Sequence, residues 1–212
     1  MDEKILFDIY FQIKQRVDIQ LSKFDYLKNY GTEEEIFEEL IFCLLTPQSK
    51  ARMAEKTVLI LKEENLLFNS SFEKLKDKLN LVRFKNHKAI YIIEAQKKLI
   101  MNGKPVLKAI LSEFKDINEK RMWLVNNIKG IGMKEASHFL RNTGYYKEVA
   151  ILDRHILKNL SYFKQIEKIP SLSITNYLYI EKLMKKWAST IKIPFEYLDY
   201  VLWFKETNDV FK

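Results

Sequence analysis

Asn127-Ile128-Lys129-Gly130-Ile131-Gly132-Met133-Lys134-Glu135-Ala136 reads as a short turn between two helices. Upstream, Asp116 is placed to cap a helix on which Ile117, Leu124, Val125 and Ile128 recur at helical spacing, with Arg121 the one polar step. Downstream, Ala136, Phe139 and Leu140 begin a second apolar face. Two glycines two apart predict positive φ and a tight turn, and they leave no side chain between the turn and whatever approaches it. A helix starting near Met133 aims its unpaired N–H groups and the positive end of its dipole at the turn, which suits a phosphate. A glycine-linked helical hairpin with no ligand is the plainer reading. Against it, Gly130 and Gly132 are two of only five glycines in 212 residues, a lysine follows at once, and Asp153 lies nineteen positions beyond Lys134.

The chain is long enough for one large domain or two small lobes with a real core. Hydrophobic residues make up 47% and charged residues 30%, so the chain is globular rather than disordered. Lysine and arginine total 36 against 28 acids, a net charge of +8 that favours an anionic partner, nucleic acid first. Ordinary lysine-rich solubility is the competing explanation. The single cysteine, Cys43, lies in an apolar helical run and reads as a buried thiol; a disulfide framework is excluded. Met1-Asp2-Glu3-Lys4 is not a signal peptide, and no apolar run approaches ~18 residues, so a soluble, cytoplasmic protein is expected.

Outward from the hairpin, the pattern is helical throughout. Residues 4–29 carry an apolar face of Ile5, Ile9, Phe11 and Ile13, continued by Ile19, Phe24 and Leu27. Thr32-Glu33-Glu34-Glu35 is a capping box ahead of Ile36, Leu40, Cys43 and Leu44, and that helix ends before Pro47. Further helices are expected at about 49–64, 71–79, 88–102 (capped by Asn86), 105–115, 154–163, 173–191 and 194–207. No alternating strand pattern and no strand pair across an Asn-Gly turn is read. The fold class is all-α, about eleven helices, with no internal repeat.

Two groups could carry chemistry. Lys134 would have to lose its proton to act as a nucleophile, and a helix N-terminus with Lys129 nearby would lower its pKa. A phosphate-binding or solvent lysine is the alternative. Asp153 opens a helix in Ile151-Leu152-Asp153-Arg154-His155, where its plain role is an N-cap worth ~1 kcal/mol. A capping carboxylate that also faces a cleft keeps its charge and a fixed direction. A lysine nucleophile beside a carboxylate suits attack at an acetal-like carbon, where positive charge develops. Gln48 and Arg52 flank one interhelical turn, and Arg83, Phe84, Lys85, His87 and Lys88 form another. Phe84 could wedge between bases, or be one more core aromatic among fourteen phenylalanines. His87, His138 and His155 show no metal-ligand spacing, so no metal site is expected. Glu196 and Asp199 read as a solvated face.

With these residues in hand, the sequence resembles the helix-hairpin-helix DNA glycosylase superfamily, the relatives of endonuclease III. The match runs through Ile128-Lys129-Gly130-Ile131-Gly132-Met133-Lys134-Glu135-Ala136 and Ile151-Leu152-Asp153-Arg154-His155. It departs from the usual pattern at Lys129, where proline is common, and at Leu152, where valine is. Leu45-Thr46-Pro47-Gln48-Ser49-Lys50-Ala51-Arg52 is similar to the turn that fills the gap left by an extruded base. Phe84-Lys85-Asn86-His87-Lys88-Ala89 is similar to the second intercalating turn. No four-cysteine cluster follows the last helices. The ending, Trp203-Phe204-Lys205 through Phe211-Lys212, resembles the compact 8-oxoguanine glycosylases found mainly in archaea.

The resemblance implies two helical lobes with the hairpin at the cleft between them. Residues 32–133 form a central lobe, and 1–31 plus 134–212 form a second lobe from the two chain ends. It implies a monomer acting on double-stranded DNA that contains oxidised guanine, with no membrane partner and no cofactor. Gly130, Gly132 and Lys129 would grip a phosphate, helped by a monovalent cation at the carbonyls of Asn126, Ile128 and Ile131. Gln48, Arg52, Phe84 and Lys88 would contact the DNA. Lys134 would attack C1′ of a flipped nucleotide with Asp153 assisting, and the resulting Schiff base would permit β-elimination. Trp203 would stack on the base, and the terminal carboxylate of Lys212 would accept its N–H groups. An oxidised-pyrimidine enzyme, or a non-catalytic hairpin module binding DNA, are the alternatives.

Overall fold

A computed structural model describes residues 3–211. Eleven α-helices account for most of that span. They are α1 (Lys4–Tyr30), α2 (Glu33–Leu45), α3 (Ala51–Glu63), α4 (Phe72–Lys78), α5 (Lys85–Leu99), α6 (Leu107–Ser112), α7 (Ile117–Asn127), α8 (Met133–Leu140), α9 (Arg154–Tyr162), α10 (Ile174–Thr190) and α11 (Phe195–Thr207). The caps lie where local chemistry puts them. Thr32 and Glu35 exchange the two bonds of a capping box, and Asp116, Asp153 and Ser173 each accept first-turn amides.

Two expectations fail for local reasons. Asn102-Gly103 does turn a strand pair, β1 (Ile100–Met101) against β2 (Lys104–Pro105). Both turn residues have positive φ, 51° and 78°, the backbone that Asn-Gly supplies most cheaply. The strands are two residues long, too short to show alternation. Asn86 is not a cap, because α5 already begins at Lys85 with Phe84 in the N-cap position. On α1 the buried stripe is Leu6, Ile9, Ile13, Val17, Leu21 and Phe24, while Ile5, Phe11 and Ile19 are exposed. The 3.6-residue period selects the first set and turns the others to the opposite side.

The apolar side chains gather into two cores. One is built by α2, α3, α5, the inner faces of α6 and α7, and the far end of α8 through Ala136, Phe139 and Leu140. The other joins α1, α9, α10 and α11, and takes in Met133 from the start of α8. Helix α8 therefore belongs to both. Beyond it, a π-helical turn at Arg141–Tyr145 brings Gly144 (φ +90°) against α1, where an added Cβ would lie 2.5 Å from that of Lys28.

A buried ion pair crosses between the cores. Arg121 of α7, the one polar step of its helix face, is fully buried and donates to both oxygens of Glu181 on α10, at 3.0 and 3.1 Å. Glu181 also accepts the Ala150 amide at 2.7 Å. Removing one partner leaves an uncompensated buried charge, so Arg121→Met should destabilise the fold by about 3–5 kcal/mol. Urea unfolding checks this, and an unchanged midpoint would show that the pair contributes no net stability.

Candidate active site

The hairpin differs from the sequence expectation in one glycine. Gly130 has φ +90°, and a Cβ there would lie 2.4 Å from the Tyr91 ring, so both conformation and close approach require glycine. Gly132 has φ −97° and ψ −174°, extended backbone open to any residue. It is the N-cap of α8, and without a side chain it leaves the first-turn amides of that helix uncovered. At the other end of the turn, Asn126 is among the last residues of α7, whose carbonyls have no partner within the helix. The Ile128 carbonyl accepts the Ile131 amide at 3.1 Å and keeps a second lone pair. Oxygens of this kind fit a weakly held monovalent cation.

Lys134 lies in the first turn of α8 with its side chain 29% exposed. Its contact is the carboxylate of the next residue, Glu135, at 3.0 Å. A second cation, Lys88, lies beside this site. Burial, and then the charge of Lys134, push the Lys88 amine down to about 8. Lys129 is largely exposed and paired with Glu94 at 2.9 Å.

Asp153 caps α9 through one oxygen, Oδ1, which accepts the amides of His155 (2.8 Å) and Ile156 (2.9 Å). The extended segment leading to it is fixed from α10. The Tyr177 hydroxyl donates to the Ala150 carbonyl at 2.6 Å and accepts the Leu152 amide at 3.1 Å, beside the Ala150–Glu181 bond. Trp203 of α11 is half-buried and meets His155 edge-on, ring centres 5.0 Å apart. Lys212 lies outside the described residues.

The two turns singled out in sequence face one recess, which Gly130, Gln48, Phe84, Lys88, Tyr91 and Glu135 help to line. Gln48 (φ 54°) and Phe84 (φ 60°) are both left-handed, a conformation neither side chain favours, and both are exposed. Arg83 lies over the Phe84 ring at 5.5 Å.

One residue expected on DNA has other work. Lys88 is buried, and its ammonium donates to the Leu45 carbonyl (2.7 Å), the Pro47 carbonyl (2.9 Å) and Ser49 Oγ (2.9 Å). Ser49 Oγ also accepts the Arg83 amide at 3.0 Å, so one cation ties both turns together. All three of its protons are committed, which turns it inward. Arg52 stays exposed, with a bidentate contact to Asp209 and a stacking contact 4.8 Å from the Phe211 ring. Asp199 is not solvated either; it is buried against Arg141 at 3.0 Å. Burial pushes its carboxyl up against the opposing pull of Arg141, and the charge of Asp153 adds to the rise.

Among the described residues, no group of His, Cys, Asp and Glu could hold a metal ion, and no helix is long and apolar enough to cross a membrane. A hairpin bared by Gly130 and Gly132, a lysine in the turn behind it and two turns facing one recess are the arrangement of a helix-hairpin-helix DNA glycosylase. A family model described as 8-oxoguanine DNA glycosylase matches residues 17–193, and the chain belongs to that family. It is 42% identical over 205 residues to an 8-oxoguanine DNA glycosylase/AP lyase of Fusobacterium nucleatum, covering 96% of this chain and 94% of that one. The crystal structure of the Thermotoga maritima 8-oxoguanine DNA glycosylase aligns with a TM-score of 0.87 at 33% identity, covering 99% and 97% of the two chains. The Methanocaldococcus jannaschii 8-oxoguanine glycosylase/lyase, solved with a 15mer DNA containing 8-oxoguanine, gives 0.87 at 35% identity, covering 99% and 98%.

The Lys88 geometry has a pH signature. Its folded value, about 8, lies below the ordinary 10.5, so the unfolded chain holds more protons between them. Its contribution is full above about 10.5 and is lost as pH falls through about 8. The stability of wild type relative to Lys88→Met, from urea unfolding at stepped pH, should rise across that window. A difference independent of pH would refute the assignment.

Proposed function

We propose that the protein excises 8-oxoguanine from double-stranded DNA and then nicks the strand, as a bifunctional glycosylase/AP lyase of base excision repair. The observation that carries this reading is Lys134 in the first turn behind a bare hairpin, in a fold shared along its length with 8-oxoguanine DNA glycosylase/AP lyases.

The residues supply each step. The uncovered α8 amides and the hairpin hold a phosphate, with Lys129 free to exchange its weak surface pair with Glu94. A monovalent cation at the Asn126, Ile128 and Ile131 carbonyls would add positive charge there. Phe84 and Gln48, set by Lys88 rather than by DNA, enter the stack and the gap as the damaged nucleotide turns out. Lys134 Nζ attacks C1′, the base departs, and the sugar is left as a Schiff base whose β-elimination cuts the strand. Asp153, with one oxygen fixed by the α9 amides, stabilises positive charge on the sugar through the other. Trp203 offers an aromatic face to the base, and the Lys212 carboxylate accepts N–H groups of the oxidised purine. 8-Oxoguanine has a donor at N7 where guanine has an acceptor, and a mismatched buried polar group costs roughly 1–3 kcal/mol. The lobes are residues 32–133 and 1–31 plus 134–212, with α8 packed by both. The protein works as a monomer in the cytoplasm on nucleoid DNA.

Borohydride trapping on duplexes carrying one 8-oxoguanine, one thymine glycol or one plain guanine tests the reading. A covalent adduct is expected with 8-oxoguanine alone, and Lys134→Gln should abolish it while DNA binding survives. Asp153→Asn keeps a capping residue and should fold, yet slow excision by ~10²-fold or more. Normal nicking by Lys134→Gln would sink the assignment, and an adduct with thymine glycol would move the substrate.

A further inference from the structure

We infer that Glu135 is a further catalytic residue, the carboxylate that accepts the Lys134 proton before attack and delivers it to the sugar ring oxygen. The inference rests on the glycosylase/lyase reading above.

Glu135 is the third residue of α8, and an acid there ordinarily serves the helix N-terminus. The same molecule shows what that looks like. Glu35, third residue of α2, turns back and accepts the Thr32 amide at 2.8 Å. Among the described residues, Glu135 makes no such bond to the Gly132 amide. Its Oε1 lies 3.0 Å from Lys134 Nζ. Consecutive helical residues do not ordinarily face each other, so both side chains have folded towards the hairpin to meet.

Gly132 leaves the room for this. Its φ needs no glycine, but a Cβ there would lie 3.3 Å from Glu135 Oε2. The carboxylate thus rests on the bare edge of the hairpin. Its side chain is only 13% exposed, and it lines the recess that Phe84 and Gln48 face.

The surrounding charges leave it this role. Lys88 of α5 has committed its protons to Leu45, Pro47 and Ser49. Lys129 and Glu94 are paired with each other, and His87 lines the same recess without bonding Lys134 or Glu135 among the described residues. Asp153 spends Oδ1 on the α9 amides, and among the described residues it forms no ion pair with Lys134. The proton acceptor touching the nucleophile is Glu135.

The proton count requires such a group. Lys134 begins as an ammonium and ends as a protonated imine, losing two protons. Glu135 takes the first, which frees the Nζ lone pair. The Nζ–C1′ bond forms, the bond to the base breaks, and the base leaves with that electron pair and takes the second proton from Nζ. The C1′–O4′ bond then breaks towards oxygen as the imine forms. Glu135 returns the first proton to O4′ and is a carboxylate again.

Glu135→Gln keeps the size and removes the acceptor. Single-turnover Schiff-base formation on a preformed abasic site, followed by borohydride trapping, should fall on the order of 10²-fold near neutral pH. The deficit should shrink as pH rises, because hydroxide replaces the carboxylate. Affinity for a duplex with a tetrahydrofuran abasic analogue, and the melting temperature, should stay at wild-type values. Glu135→Asp should recover part of the rate. A wild-type or faster rate in Glu135→Gln would overturn the inference. So would a loss equal at every pH, or one matched by weaker binding or a lower melting temperature, which would mark a merely structural residue. Lys134→Gln run in parallel separates the two levels. If it still traps DNA, the glycosylase/lyase reading fails; if it is dead while Glu135→Gln is normal, only the role of Glu135 fails.

Discussion

Helix α8 is gripped from both sides. Met133 packs into the core built by the two chain ends, while Ala136, Phe139 and Leu140 pack into the core of α2, α3 and α5. One helix of eight residues thus carries Lys134 at the seam of two apolar cores. Close-packed interiors deform little, so the seam fixes the backbone that carries Lys134. The same seam leaves the start of α8 uncovered. Gly130 turns tightly over Tyr91 and Gly132 adds no side chain, so the amides and the dipole of α8 face outward. On the proposed reading, a phosphate beside the hairpin and a nucleophile behind it would draw both properties from one element.

Two buried ion pairs cross that seam. Arg121 with Glu181 and Arg141 with Asp199 each join α7 or the turn after α8 to the last two helices. Glu181 makes a second contact to the Ala150 amide, which links the pair to the segment delivering Asp153. Such pairs are weak sources of net stability, since desolvation offsets most of the attraction. Their stronger effect is on direction: an ion shifted out of line loses its bonds while keeping its desolvation cost. Specifying where Lys134 and Asp153 point is the use this fold makes of them.

Contacts made within four or five residues were legible in the sequence. The Thr32–Glu35 box, the caps at Asp116 and Asp153, and the helical hairpin depend on neighbouring residues alone. The resemblance of residues 128–136 and 151–155 to a glycosylase pattern carried the class of reaction. Partners far apart in the chain were not legible. Arg121 and Glu181 are 60 residues apart, and Arg141 and Asp199 are 58. Asp199 therefore reads as a surface acid, and the closure of Arg52 on Asp209, 157 residues away, leaves no local trace. Lys88 misled for a related reason. A lysine in a basic connector looks solvated until three acceptors from another helix end converge on it. The Asn102-Gly103 pair was a local signal, and it was passed over because two-residue strands carry no pattern around it.

The two inserted turns show why a buried lysine is tolerated at the cleft. Gln48 and Phe84 both hold left-handed backbone, each at a cost of roughly 1–2 kcal/mol against an ordinary conformation. Each turn therefore needs support from outside its own backbone. Lys88 supplies it by bonding the Leu45 and Pro47 carbonyls and Ser49, while Ser49 holds the Arg83 amide beside Phe84. A neutral donor could not serve three acceptors from one atom, and an arginine is too large and planar for a point where they converge. The depressed amine is the consequence: desolvation and the nearby Lys134 both oppose its charge, yet the bonds require it. Shape is thereby set during folding rather than at encounter, which lowers the ordering cost of binding.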